Sequence, residues 1–121
     1  MPDKVNLEDM LARIPDCWNP RIVAELNGQH VKLARLQGEF VWHRHEHEDE
    51  LFLVLDGTLR MEFRDRSLVL DPGELVVVPR GTEHRPVAED EVRVLLFEPV
   101  GTLNTGDAED ERTVERPEWL T

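Results

Sequence analysis

The chain has 121 residues, 40% of them hydrophobic, which is enough for the core of one ordinary domain. Its formal net charge of −12 argues against binding to nucleic acid or to an anionic membrane surface, because both need clustered Lys and Arg. One cysteine excludes an internal disulfide, and the lack of tyrosine excludes a tyrosine base or a Cys–Tyr cofactor. We see neither a signal peptide nor a membrane-spanning stretch and expect a cytoplasmic protein.

The first segment, residues 1–21, is predicted to contain one short helix. Asn6 is a good N-cap, and Pro15 cannot continue a helix. Between them the apolar residues follow helical spacing: Leu7, Met10, Leu11 and Ile14.

Residues 22–100 consist of short β-prone runs separated by turn signals. The runs cover residues 22–26, 30–36, 40–45, 51–55, 59–63, 67–70, 75–78 and 92–98. Asn27-Gly28 predicts a hairpin, since both residues accept a positive φ, and we interpret 75–78 as a buried strand. Short strands with regularly spaced turns predict an all-β barrel or sandwich.

The remaining residues, 101–121, form a polar, acidic C-terminal tail. Such a segment either lies over the barrel or is loose. Trp119 and Leu120 near its end suggest docking on the domain or on a partner chain, and a frayed end is the alternative.

A cluster of histidines is the strongest chemical signal in the chain. His43 and His45 are two residues apart, so in a strand their imidazoles share one face. Glu50 begins the next apolar run, which can bring its carboxylate beside them. Apolar flanks place these groups in or near a core, where a metal ion satisfies several buried donors and acceptors together. Imidazole and carboxylate suit Fe, Mn, Ni, Zn, Cu or Co, and they leave open positions for chemistry.

Two alternatives stay open for this cluster. Residues 43–50 could form an exposed, solvated loop, and His47 has the strand parity to compete with His45 as a ligand. Of the other reactive side chains, Cys17 has no histidine near it and is predicted to be a packed or surface thiol. His30, in the predicted hairpin, is expected at the surface.

The cluster resembles the first motif of the cupin family, in which a glycine precedes His-x-His, three or four residues, Glu, six residues and Gly. Here it consists of Gly38, His43-Arg44-His45, four residues, Glu50, six residues and Gly57. The one departure is that four residues, not five, separate Gly38 from His43.

A later stretch is similar to the second cupin motif. It consists of Gly73, five residues, Pro79-x-Gly81, two residues and His84. The motif's terminal Asn is replaced by Ala88, which touches the architecture and not the ligand set. The resemblance covers about residues 30–98.

The resemblance implies an all-β cupin barrel, a double-stranded β-helix or jelly roll, preceded by the short helix. It also implies one divalent transition metal (Fe, Mn, Ni, Zn, Cu or Co) held by His43, His45, Glu50 and His84. Glu50 could stay a ligand or act as a base. The match assigns His47 to the variable residues before the Glu.

A cupin fold does not determine a reaction. We expect a metal-dependent enzyme of dioxygenase, isomerase or lyase type, acting on a small organic or sugar-derived metabolite. The alternatives are a non-catalytic, metal-dependent small-molecule-binding module and a barrel whose metal is only structural. Strand parity directs Val41, Phe52 and Val54 to the interior, and further candidates for a pocket wall are Met61, Phe63 and Phe97.

Cupins similar to this chain often dimerise through sheet edges. The predicted strand at residues 22–26 would be an uncovered edge that needs pairing or protection. We therefore predict a homodimer.

Overall fold

The computed structural model describes residues 3–121, and within them it contains one short helix and seven strands. Helix α1 spans Leu7–Leu11, and the strands are β1 (Arg21–Leu26), β2 (Gln29–Glu39), β3 (Glu50–Asp56), β4 (Leu59–Phe63), β5 (Ser67–Leu70), β6 (Leu75–Val78) and β7 (His84–Pro99). No helix in this part of the chain has the length and apolar character needed to cross a membrane.

Helix α1 begins as predicted but ends early. The side chain of Asn6 accepts a hydrogen bond from the backbone N–H of Asp9 at 3.0 Å, which satisfies one free donor of the first turn. From Arg13 onward the backbone N–H groups bond three residues back instead of four, from Arg13 N to Met10 O at 3.0 Å and from Ile14 N to Leu11 O at 3.1 Å. The last turn is therefore tightened and no longer α-helical.

The strands form an antiparallel jelly-roll barrel, which confirms the predicted all-β architecture with a short N-terminal helix. The order is β1-β2-β7-β3-β6, and β4 pairs with both β5 and β7. The long strand β7 joins the two halves, because its first residues pair with β4 and its later ones with β3. Alternate residues of these strands fill the interior; among them are Ala34, Leu36, Phe52, Val54, Leu59, Met61, Val92 and Val94.

The hairpin between β1 and β2 confirms the Asn-Gly prediction. Asn27 and Gly28 have φ values of 50° and 75°, the conformation that two-residue hairpin turns require. Strand β2 runs on to Glu39 with a register shift between Leu36 and Gly38. Gly38 therefore lies at a bulge within the strand and does not end it.

Two strand predictions are wrong. Residues 40–45 are not a regular strand, since their one ladder contact is an isolated bridge between His43 and His84. Residues 75–78 do form strand β6, but Leu75 is 56% and Val77 50% exposed. Within the described chain β6 pairs on one side only, with β3, so it is an edge strand with one open face.

The C-terminal tail lies on the barrel. Ile22 N donates to Glu118 O at 2.8 Å, and Leu120 N donates to Ile22 O at 2.9 Å, so Trp119 forms a parallel bridge with Ile22. The tail thus covers part of the β1 edge on which the homodimer prediction rested. The oligomeric state stays a prediction.

Candidate metal centre

Four side chains converge at one end of the barrel: His43, His45, Glu50 and His84. All four are buried, and one potential ligand atom from each lies within 4.8 Å of the others. Two backbone hydrogen bonds place His43 opposite His84, from His43 N to His84 O at 3.1 Å and back at 2.9 Å. Glu50 is the first residue of β3, which carries it inward beside the imidazoles. The structure therefore brings together all four residues predicted as ligands.

Backbone carbonyls orient two of the imidazoles. Nδ1 of His43 lies 2.9 Å from Val41 O, and Nδ1 of His84 lies 2.9 Å from Thr82 O. A carbonyl only accepts, so each Nδ1 carries the proton and each Nε2 keeps its lone pair. Such contacts are how metal-binding histidines are usually held.

The inward-facing atoms have the character of metal ligands. Nε2 of His45 and of His84 lies 3.3 Å and 3.6 Å from Oε1 of Glu50. Within the described residues, these three buried atoms form no hydrogen bond. Unsatisfied buried polar atoms are costly, and a divalent ion between them would satisfy all three. Three imidazoles and one carboxylate therefore fit a transition metal.

The pKa values of these groups are shifted by their surroundings, and the shifts of His43 and Glu50 favour binding of a cation. Burial, reinforced by the charge of His84, lowers the pKa of His43 to about 4. Burial acts to lower the pKa of His45, but the hydrogen bond and negative charge of Glu50 have the larger combined effect, so the pKa of His45 is raised. Burial acts to raise the pKa of Glu50, yet its contacts with Glu98 and the histidines hold it well below its ordinary value. Glu50 is therefore a carboxylate and His43 neutral at neutral pH.

The pKa of His43 predicts how the metal-free protein responds to acid. The folded protein keeps this ring neutral down to about 4, whereas the unfolded chain protonates it near 6.5. The unfolded state therefore gains protons as the pH falls through this range, and up to about 3 kcal/mol of stability is lost. Urea unfolding with a chelator at about pH 7 and about pH 4.5 will show a smaller loss for His43→Leu than for the wild type. An equal loss of unfolding free energy in the wild type and in His43→Leu would contradict the lowered pKa of His43.

A buried ion pair that the sequence pattern did not predict lies behind Glu50. Lys32 Nζ donates to Glu98 Oε1 at 2.8 Å, and both side chains are fully enclosed. Burial, together with the negative charge of Glu50, raises the pKa of Glu98 well above its ordinary value. Strand alternation could have predicted the burial of Lys32, since Lys32 lies on the same inward face of β2 as Ala34.

An apolar cavity adjoins the ligands. It measures about 30 Å³, room for about two water molecules. His43, Glu50 and Asn104 supply its polar lining, and the rest of the wall consists of Trp18, Pro20, Ala34, Leu36, Phe40, Phe52, Pro86, Val94 and Leu96.

The pocket-wall predictions are correct in part. Phe52 lines the cavity, and Val54 and Met61 are buried in the core behind it. Phe97 instead faces a groove on the outside of the barrel with Leu51, because it has the opposite parity to Leu96.

The C-terminal tail completes this end of the barrel. Asp107 N donates to Arg44 O at 3.0 Å, and Arg44 N donates to Asp107 Oδ1 at 2.8 Å, which fixes the backbone between His43 and His45. Asn104 closes the cavity, but its amide is engaged by the tail itself, from Nδ2 to the Arg112 carbonyl at 2.9 Å and from Val114 N to Oδ1 at 2.8 Å.

Three other side chains have clear positions. His47 is exposed in the loop before β3, outside the ligand group. His30 is buried, contrary to prediction, because it faces inward and its Nε2 lies 3.0 Å from Glu25 Oε1. Cys17 is half-buried, and burial raises its pKa, so it remains a packed thiol.

Comparison with known proteins supports this assignment. Residues 29–98 match the model of the Cupin_2 family, described as a cupin domain. The uncharacterized protein YdbB of Bacillus subtilis (strain 168) is 42% identical over 64 residues, which is 52% of this chain and 57% of that protein. The match therefore spans less than two thirds of that relative.

Two solved structures are similar over most of the chain. A cupin-2 domain containing protein from Shewanella frigidimarina NCIMB 400 is 42% identical with a TM-score of 0.77, over 78% of this chain and 93% of that one. Protein NMB1881 from Neisseria meningitidis is 32% identical with a TM-score of 0.74, over 80% and 99% of the two chains. With both motifs, the barrel and the His/His/Glu/His group in place, this chain belongs to the cupin family and is a small cupin domain.

Proposed function

We propose that this protein is a metal-dependent enzyme acting on a small, largely apolar organic metabolite that carries coordinating oxygen atoms. The ligands of the metal would be His43, His45, Glu50 and His84. The observation that carries the proposal is that His43 and Glu50 belong both to the ligand group and to the wall of the cavity. A molecule in that cavity would lie directly against the metal.

The lining of the cavity narrows the substrate class. Among the described residues, no Lys or Arg contributes to the wall, so a phosphate or a polycarboxylate would have no cationic partner there. The amide of Asn104 is already hydrogen-bonded within the tail. Sugar hydroxyls would therefore be buried without partners, which is costly. These features favour a one-ring or short-chain phenol, diketone or similar compound over a sugar-derived one.

The acid–base groups narrow the reaction class. A bound redox-active metal would supply Lewis-acid or O₂ chemistry. The low pKa of Glu50 makes it a good ligand and a weak base. Among the described residues of the cavity wall, the other titratable side chain is His43, which is also a proposed ligand. Isomerases and lyases usually need a separate proton carrier, so a dioxygenase fits this cavity best.

The cavity must widen to admit such a substrate. Trp18 is stacked on Phe40 with ring centroids 4.6 Å apart. Trp18 and Asn104 of the tail are the half-buried residues of the wall described above, whereas its other residues are buried. We propose that Trp18 and Asn104 move apart when a substrate enters and then exclude water from the ligand end.

The test is turnover by the protein loaded anaerobically with Fe²⁺ and then given O₂. A panel of one-ring phenols, catechols and diketones is compared with sugar acids and sugar phosphates, and mass spectrometry follows incorporation of labelled O₂. We expect turnover in the first group only. Ala34→Val narrows the cavity without touching a ligand, so it should keep the metal and lose about tenfold or more in turnover.

The same panel separates the alternatives. Metal-dependent binding without change of any compound would identify a binding module. Thermal stabilisation by metal without binding of any compound would leave only a structural metal. Turnover confined to the sugar acids would overturn the substrate class.

A further inference from the structure

Three charged side chains form a continuous line inside the barrel. Lys32 of β2, Glu98 of β7 and Glu50 of β3 lie on adjacent strands and all face inward. They are 2%, 1% and 3% exposed. Lys32 Nζ donates to Glu98 Oε1 at 2.8 Å, and the pairing of Leu51 with Phe97 places Glu98 beside Glu50 at the next register position of β3 and β7. The line ends at a ligand of the metal centre.

Stability alone does not account for this arrangement. The free energy lost when a Lys–Glu pair is removed from water is about as large as the attraction gained between the two charges. Apolar residues of similar volume at such positions therefore often give a protein of equal stability. The inward positions that follow toward the middle of the barrel are apolar, Ala34 on β2 and Leu96 on β7. A buried charged pair next to Glu50 therefore indicates a role toward Glu50.

The two oxygens of Glu98 have different surroundings. Lys32 occupies Oε1, whereas Oε2 is buried and has no hydrogen-bond partner among the described residues. The acidic group beside Glu98 across the β3–β7 pairing is Glu50, whose Oε1 faces His45 and His84. Lys32 therefore fixes Glu98 at the back of the Glu50 carboxyl group.

We propose that Glu98, fixed by Lys32, is a positioning residue that orients the Glu50 carboxylate and so sets the affinity of the metal centre. The inference rests on the metal centre proposed above and not on turnover. Hydrogen-bonded partners of metal ligands commonly change metal affinity by 10–100-fold. The same effect is expected here, although Glu98 does not touch the metal.

Metal affinity and geometry test the proposal. Co²⁺ is titrated against a competing chelator, its visible absorption spectrum is recorded, and circular dichroism reports folding. The double variant Lys32→Met/Glu98→Leu replaces the pair by apolar side chains of similar volume. We expect it to fold, to bind Co²⁺ about 10–100-fold more weakly and to show a changed spectrum. Glu98→Gln keeps a donor toward Glu50 and an acceptor for Lys32, so its affinity should stay within about threefold.

The controls separate positioning from general destabilisation. Val92→Ala opens space in the same strand far from the ligands and should leave Co²⁺ affinity unchanged. If the double variant does not fold, Glu98→Asp replaces it, since a side chain one methylene shorter cannot reach Glu50. Affinities and spectra equal to the wild type in the folded variants would overturn the proposal. Failure of the wild type to bind Co²⁺ would overturn the metal centre as well, whereas absence of turnover would affect only the proposed enzyme.

Discussion

The variant His43→Ala/His84→Ala will purify with less than about 0.1 equivalent of metal, against about one equivalent in the wild type. The double substitution removes two of the four proposed ligands and leaves His45 and Glu50, which cannot complete a tetrahedral or octahedral set. Elemental mass spectrometry on untagged protein measures the difference and identifies the metal, because each candidate element is counted separately.

Thermal unfolding gives an independent measure of the same loss. At a free metal concentration of about 1,000 times Kd, binding stabilises the folded wild type by about 4 kcal/mol. For a chain of this size that raises the melting temperature on the order of 10 °C. The double variant should show no rise. His47→Ala alters an exposed histidine outside the ligand group and should behave as the wild type; metal lost there and retained in the double variant would refute the ligand assignment.

Gly57→Ala will destabilise the protein by about 2–5 kcal/mol. Gly57 has a φ of +84°, a conformation that costs alanine about 1–2 kcal/mol. A Cβ at this position would also lie 2.7 Å from the backbone oxygen of Glu91 and 3.2 Å from Val92. Backbone atoms cannot swing aside, so the turn after β3 must separate from β7, and overpacking of this kind adds about 1–3 kcal/mol.

Gly38→Ala is the matched control for this prediction. Gly38 has a similar φ of +89°, but in the described structure nothing lies within 4 Å of the Cβ it would gain. It should therefore lose only the conformational contribution of about 1–2 kcal/mol. Urea unfolding of both variants gives the two free energies. Equal losses would mean that the contact with β7 is unimportant and that only the backbone angle matters.

Gly38 and Gly57, the two glycines of the first motif, show which property of a glycine can be predicted from a local sequence pattern and which cannot. The sequence motif treats Gly38 and Gly57 alike, and both need a positive φ. Only Gly57 is pressed against another strand, and that contact is made by Glu91, 34 positions later in the chain. Strain from a backbone angle is a local property, but a steric limit set by another strand is not.

The hairpin, the N-cap and most strands follow from residues that are neighbours in the chain. Asn27-Gly28 closes a turn because both residues tolerate a positive φ, and alternation in β4 places Leu59 and Met61 inside. The strand prediction for residues 40–45 is wrong because their composition is β-prone, while their backbone hydrogen bonds go to scattered residues, among them Gly81, His84 and Pro86. Residues 75–78 were mistaken for a buried strand because an apolar run does not show whether a second layer covers it.

The sequence by itself determined the fold class and which four side chains meet at the candidate metal centre. His43 and His45 are two residues apart and Glu50 opens the following run, so spacing encodes their local geometry, whereas His84 was supplied by the resemblance to the second cupin motif. Only the tertiary structure decided what surrounds that group. Lys32 and Glu98 meet across 66 positions, and Asn104 enters the cavity from the tail. The physical reason is that periodicity predicts the face on which a side chain lies, whereas its partner across the barrel depends on how the strands pair and how the chain closes over them.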